Sequence, residues 1–332
     1  MNKSKVLYIH ITGVSSEILK NMVLAGIRPV LCDNRPFPQA IQDTPSMFWQ
    51  SKSLESVESN GKDDALQEKE PPSKRVKKES TTTVAKAIQS AVQELNPLLG
   101  DCQILDCPNL EDLEDVVSLV KDYDIVVASR ISVDLAVRLS QACANNENSS
   151  KSPVLFLVDT FGMHGACAID WGPNQYYRPE VGKKLLDPQL LQPYVSLNTM
   201  LNVPLQDATN RFHKQHPPEG WVLYRCLLEY IRQTKTWPTN DASKKDFVKI
   251  VRNWLQETSP KLMELDLVSD QSLEQLASVA TCEISPVCTV LGGFVGNEII
   301  KAISGKGEPA NNTVLFEGST CKTWTFLVKP KD

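Results

Sequence analysis

The 332-residue sequence predicts an α/β fold. Three observations carry that expectation. A strand, a helix and a second strand are readable within the first 33 residues. Helix and strand keep alternating as far as residue 158 once a charged stretch has been crossed. Finally, 41% of the residues are hydrophobic, enough to build a full core at this length.

Residues 5–11, Lys-Val-Leu-Tyr-Ile-His-Ile, are rich in β-branched and apolar side chains and read as a strand, with Gly13 at the turn into a helix. Residues 15–25 place Ile18, Leu19, Met22 and Val23 at helical spacing, with the serines before Glu17 as caps and Gly26 as the stop. Residues 28–33 read as the second strand and close a βαβ unit of the dinucleotide-binding type. The pattern then breaks. Residues 51–83 are Ser, Glu, Lys, Asp and Pro with almost no apolar content, a composition that does not offset the entropy of ordering a chain, so a disordered insertion is expected. Within it Lys74, Arg75, Lys77 and Lys78 follow Pro71 and Pro72, a basic cluster of the sort nuclear import receptors read; a merely solvated charge run is the alternative.

Order returns with a helix over 84–95, a strand over 103–105, a helix over 110–120, a strand over 124–129, a helix over 133–144 and a strand over 154–158. The second half changes character. A strand is readable at 167–171, but 221–234, 244–258 and 272–279 have helical periodicity, so residues 205–285 are expected to be mostly helical. A helix over 290–303 and strands over 313–316 and 323–328 end what we expect to be one domain over 1–332.

Composition narrows the function. A net charge of −5 argues against a nucleic-acid partner, which would call for a basic face. No apolar window approaches the roughly 20 residues a membrane span needs, and the first residues carry no apolar signal core, so an intracellular protein with no membrane partner is expected. Nine cysteines are scattered singly, never as Cys-x-x-Cys, which points to reduced thiols and away from a zinc site.

Three stretches resemble one family. Residues 285–302, Ser-Pro-Val-Cys-Thr-Val-Leu-Gly-Gly-Phe-Val-Gly-Asn-Glu-Ile-Ile-Lys-Ala, followed by Asn-Asn-Thr-Val-Leu-Phe-Glu-Gly at 311–318, are similar to the closing helix and strand of the first subunits of SUMO-activating enzymes. Residues 159–165, Asp-Thr-Phe-Gly-Met-His-Gly, are similar to that family's strand-end loop, and residues 16–26 to the first helix of the ThiF-like adenylation fold. The resemblance implies a Rossmann-like, ThiF-type mixed sheet flanked by helices, with a helical block in the second half. It also implies a heterodimer whose larger catalytic subunit carries ATP, Mg and the cysteine that accepts SUMO, with this chain inactive alone; the basic cluster places the expected location in the nucleus, with the cytoplasm as a second location.

A phosphate-binding turn needs glycines so that backbone N–H groups at a helix start can approach the anion. Where the family has three glycines this chain has His10, Gly13 and Ser15, so two side chains take the space of the pyrophosphate, and the cofactor-binding candidates Gly13, Ser15 and Asp33 are read as a vestige, with no catalytic residue and no metal site in this chain. Cys288, after Pro286 at the start of an apolar helix, is expected to be packing, and Cys282 is scarcely a better nucleophile. His164 is expected to hold its loop by a hydrogen bond, and His213 and His216 lack ligand neighbours. Gly292 and Gly293 inside a helix imply close packing of another element, so Pro286, Gly292 and Gly293 are the candidates for the partner interface. The resemblance also implies an Asp-Arg-Gln-type helix before the first strand; the chain begins too late for it, which leaves open a truncated sequence or a subunit that works without that arginine. Two rival readings stand beside this one, a regulatory subunit for the NEDD8 modifier, expected to be much longer, and a free-standing Rossmann-fold enzyme, expected to keep an intact Gly-x-Gly-x-x-Gly.

Overall fold

The computed structural model describes residues 4–37, 44–49, 82–106, 113–145, 152–182, 184–208 and 216–331. Strand β1 (Lys5–Ile9) leads to helix α1 (Gly13–Leu24) and strand β2 (Arg28–Cys32). Helix α2 (Val84–Leu95), strand β3 (Gln103–Ile104), helix α3 (Leu113–Val120), strand β4 (Ile125–Ala128) and helix α4 (Val133–Ala144) follow. Strands β5 (Val154–Phe161) and β6 (His164–Asp170) form a hairpin. Four two-residue strands, β7 (Tyr176–Tyr177), β8 (Glu180–Val181), β9 (Lys184–Leu185) and β10 (Gln189–Leu190), make two small ladders. Helices α5 (Leu197–Asn202), α6 (Glu219–Thr234), α7 (Asp241–Thr258), α8 (Asp270–Val279) and α9 (Ser285–Ser304) precede strands β11 (Thr313–Glu317) and β12 (Lys322–Phe326).

Among the described residues the main sheet has eight strands in the order β12-β11-β6-β5-β4-β1-β2-β3. The run from β3 to β5 is parallel, and β6, β11 and β12 add to it antiparallel. β1 sits inside, with Leu7 between Val30 of β2 and Val126 of β4. Its residues are apolar on both faces, as a strand covered from both sides requires. Tyr8, Val127 and Phe156 share one core with Ile18, Met22, Leu291 and Val295, so α1, α2 and α9 cover that face. Leu7, Val126 and Leu155 share the other with Leu135, Trp221, Tyr224 and Phe247, from α4, α6 and α7. From β1 the chain runs outward to β3 and then returns on the other side of β1 to β4 and β5. The strand order therefore reverses between β1 and β4, and a crevice at their carboxyl ends is where such sheets bind ligands.

Several expectations need correction. The first strand stops at Ile9 because His10 adopts φ 61°, a left-handed conformation that turns the chain before α1. α1 is capped by Thr12, with Ser15 returning the bond in a capping box, so the serines lie inside the helix. Residues 159–165 are a tight hairpin rather than a loop, since β5 runs to Phe161 and β6 starts at His164, with Gly162 (φ 58°) and Met163 making the turn. The later helices begin at residues 219, 241, 270 and 285, ahead of the expected 221, 244, 272 and 290. Their first turns hold polar caps such as Asn240 and Ser269, or Pro286 at the helix start, which carry no apolar period. α9 has the length and mean hydropathy of a membrane span, contrary to the expectation that no window does, yet half of that window is buried within the protein. The insertion up to residue 81, including Lys74, Arg75, Lys77 and Lys78, and His213 lie outside the described residues.

A closed turn at the carboxyl ends of the parallel strands

At the switch point the turn after β1 meets the ends of β2, β4 and β5. Thr12 Oγ1 shares a 2.8 Å hydrogen bond with Ser129 Oγ at the end of β4. The Ser129 hydroxyl donates to Asp159 Oδ1 on β5 at 3.2 Å. The Arg130 amide donates to the same oxygen at 2.8 Å, and the Tyr224 hydroxyl on α6 donates to Oδ2 at 2.8 Å. Asp159 is thus a buried carboxyl group with three hydrogen-bond donors on it, as a polar group away from water requires partners. Burial, reinforced by Asp159, pushes the Tyr224 phenol well up, so it stays a donor.

Arg130 is left-handed at φ 55° and reaches back over the same ends. Its guanidinium donates to the carbonyls of Thr160 and Ala280, each at 2.6 Å, and lies 4.1 Å from the Trp237 ring centre. The Ala280 bond holds the segment that leads into α9, and that segment delivers Glu283. The Gly13 amide at the start of α1 donates to Glu283 Oε2 at 2.9 Å, and the Thr160 hydroxyl donates to Oε1 at 3.1 Å.

The expected site residues fall as follows. Ser15 faces its own turn: its Oγ accepts from the Thr12 amide at 2.7 Å and donates to the His10 carbonyl at 3.2 Å. Gly13 is closely covered, since a Cβ there would lie 2.9 Å from Cys288 Sγ and 3.0 Å from the Pro45 carbonyl oxygen. Asp33 is buried and accepts from the Ile11 amide at 2.7 Å and from Arg35 Nε at 2.9 Å and Nη2 at 2.7 Å. Burial would raise its carboxyl, but the Arg35 guanidinium outweighs that and holds it below the ordinary range. His10 is half-buried beside Arg35, and desolvation first, then that cation, lower its pKa to about 4, so the ring is neutral at pH 7.

Cys288 is buried 3.6 Å from Thr160 Oγ1, and burial pushes its thiol up to about 12, a poor source of thiolate. Cys282 is exposed, and its carbonyl accepts from the Gly162 amide at 2.9 Å. His164 does not hold a loop by a hydrogen bond. Its buried Nδ1 has no partner among the described residues, and the ring stacks on Phe161 at 5.8 Å, with Tyr224 stacked on Phe161 at 5.9 Å. His216 Nδ1 lies 3.0 Å from the Pro217 carbonyl oxygen.

The two helix glycines separate. A Cβ on Gly292 would come within 2.7 Å of Glu17 Cβ, so the element packed against it is α1 of this same chain. A Cβ on Gly293 would meet nothing within 4 Å, and Pro286 and Val290 are exposed with it. Arg130, Arg35 and Glu283 were missed by sequence reasoning. Glu283 acts on a residue 270 positions away, which no local pattern signals.

A profile of the ThiF family matches residues 74–331, more than three quarters of the chain, beginning after the β1-α1-β2 unit. SUMO-activating enzyme subunit 1 of Danio rerio is 25% identical over 95% of this chain and 86% of its own length. The Homo sapiens protein of that name is 24% identical over 96% of this chain and 87% of its own. SUMO-activating enzyme subunit 1B-1 of Arabidopsis thaliana is 24% identical over 97% and 88%. With a parallel sheet reversing at β1, an antiparallel extension through β6, β11 and β12, and this match, the chain belongs to the ThiF family, and along nearly its whole length it is similar to SUMO-activating enzyme first subunits.

Proposed function

We propose that this chain is the non-catalytic subunit of a heterodimeric SUMO-activating enzyme. It pairs with a larger subunit that holds ATP and Mg. The complex adenylates the carboxyl terminus of SUMO and passes it to a cysteine of that larger subunit. The observation that carries this reading is the filled turn of a chain otherwise similar to SUMO-activating enzyme first subunits. Gly13, Ser15 and Asp33 do not fit a nucleotide as they stand: Pro45 and Cys288 cover the glycine, the serine hydroxyl closes its own helix cap, and Arg35 takes the carboxylate a ribose would need. Nucleotide chemistry is therefore assigned to the partner.

The outward face of α9, with Pro286, Val290 and Gly293, is the surface we assign to the larger subunit. Val290 is 46% exposed on a helix whose opposite face is buried in the core, and small or apolar side chains allow close approach. Gly292 is withdrawn from that assignment because α1 covers it. The basic cluster Lys74, Arg75, Lys77 and Lys78 is proposed as a nuclear import signal, and an unchanged nuclear signal after its deletion from a tagged protein would remove that role.

The deciding experiment purifies the tagged chain from its own cells and assays ATP-dependent thioester formation with SUMO. A larger cysteine-bearing subunit should co-purify, the complex should charge SUMO, and this chain alone should not. A monomer that binds nucleotide by itself would overturn the assignment.

A further inference from the structure

We propose that Glu283 is a tethered stand-in for a nucleotide phosphate, a carboxylate of the chain itself seated where the start of α1 would otherwise receive an anion. This deepens the reading above, on which the chain leaves adenylation to its partner. The first amides of a helix carry partial positive charge and point at whatever lies before them, so this position draws anions. α1 follows the central strand of a parallel sheet at the point where the strand order reverses, which is where a phosphate would sit. What sits there is Glu283: one carboxylate oxygen lies 2.9 Å from the Gly13 nitrogen and the other 3.1 Å from the Thr160 hydroxyl. The residue is only 9% exposed. An ionised acceptor makes such bonds about twice as strong as a neutral one would.

The lost glycines alone do not explain the closure, because Gly13 remains and its amide is still aimed outward. The retained glycine now serves another purpose, letting Cys288 and the Pro45 carbonyl close onto the turn. Arg130, the nearby cation, gives its guanidinium to the Thr160 and Ala280 carbonyls and so fixes the two segments that bring Thr160 and Glu283 together. A carboxylate already held in place by the fold fills the position without the loss of translational and rotational freedom that a free anion incurs on binding. The chain thereby keeps its own cradle filled.

The test uses the full-length chain alone, with inorganic pyrophosphate as the probe, read by thermal shift and calorimetric titration. The wild type should show no response through millimolar pyrophosphate. Glu283→Gln keeps the side chain's shape and removes its charge, and its affinity for pyrophosphate should be at least tenfold tighter than the wild type's. Glu283→Ala should bind more tightly again and should melt at a lower temperature when pyrophosphate is absent. If the alanine variant does not fold, the glutamine variant decides. A wild type that binds pyrophosphate as well as the glutamine variant would show the cradle is not filled. A glutamine variant with no gain would show the position is not a phosphate position. Either result overturns the proposal. The titration needs no partner, so its failure leaves the thioester result of the wild-type complex intact, and an absent partner leaves the titration intact.

Discussion

The turn before α1 and the outward face of α9 are built on opposite terms. Around the turn, Thr12, Ser129, Asp159, Thr160, Glu283, Asp33 and Arg35 are joined to one another or to neighbouring backbone by hydrogen bonds, nearly all of them buried. On the outward face of α9, Val290 is exposed and a side chain at Gly293 would touch nothing. The end of the sheet where this fold does chemistry is closed upon itself, while a helix whose other face belongs to the core leaves an apolar strip uncovered. That difference is what a subunit retained for assembly rather than for turnover would show, and it can be attacked from either side.

The largest effect should come from the closed side. Asp159→Ala leaves the Arg130 amide, the Ser129 hydroxyl and the Tyr224 hydroxyl without their shared acceptor. Each buried donor left unmet costs about 1–3 kcal/mol, and some of these will find other partners, so a loss of about 3 kcal/mol or more is expected in urea unfolding. Asp159→Asn keeps an acceptor oxygen and should lose about half as much. An alanine variant within 1 kcal/mol of wild type would show that the network is not what closes this end.

How much of this was legible beforehand divides along the same line. The order of strands and helices from residue 84 to 158 follows from local apolar period, and so does the βαβ opening, because each element there packs a periodic face onto the sheet. The weakness of the glycine turn is readable too, since it is a matter of residue type at one place. What replaced the phosphate is not. Glu283 meets Gly13 across 270 residues, and Arg130 meets Ala280 across 150, so only the fold brings them together. Gly292 and Gly293 look alike in sequence, yet a 100° step around the helix sends one against Glu17 and the other outward. The hairpin at Phe161–His164 was hidden because a two-residue turn with one glycine resembles a short loop.

The next effect is a pH dependence. His10 has a folded pKa near 4 against an ordinary 6.5, so between those values the unfolded chain binds the proton and the folded chain does not. Stability should therefore fall as pH drops from about 6.5 to about 4 and level off below, by up to about 3 kcal/mol from this group. His10→Asn tolerates the left-handed backbone at φ 61° and should flatten that stretch of the curve. Asp33 acts lower down: its depressed carboxyl adds stability above the ordinary 3.8 that is lost as pH falls through the folded value, so it should remain in the variant. If urea midpoints measured at pH 7, 5.5 and 4 run parallel for the two proteins, the neutral imidazole of His10 is not part of the closed turn.

Gly292→Ala tests the contact that joins the two regions. The new Cβ would come 2.7 Å from Glu17 Cβ, with the Val14 carbonyl oxygen at 3.3 Å, so α1 and α9 must separate slightly. Overpacking of this kind costs about 1–3 kcal/mol, partly offset by the helix preference of alanine, which leaves a net loss of about 1 kcal/mol. A variant as stable as wild type would mean that the α1-α9 contact yields freely, and α9 could then not serve as a rigid support for its outward face.

Gly293→Ala gives the smallest effect and the sharpest contrast, because the same substitution one residue along should act in the opposite direction. With nothing within 4 Å of the new Cβ, only the backbone preference remains, and alanine in a helix interior is favoured over glycine by up to about 1 kcal/mol. The isolated chain should unfold at a slightly higher urea concentration. In the complex the sign is expected to reverse, since a methyl group placed where a partner approaches closely must be accommodated at its expense, and the larger subunit should dissociate several-fold faster. A glycine kept in an exposed helix position against its own stability then has a reason that lies outside the chain. If the substitution strengthens the free chain and leaves the complex unchanged, that reason is gone, and the partner must be sought on another face, with Pro286 and Val290 no better supported than Gly293.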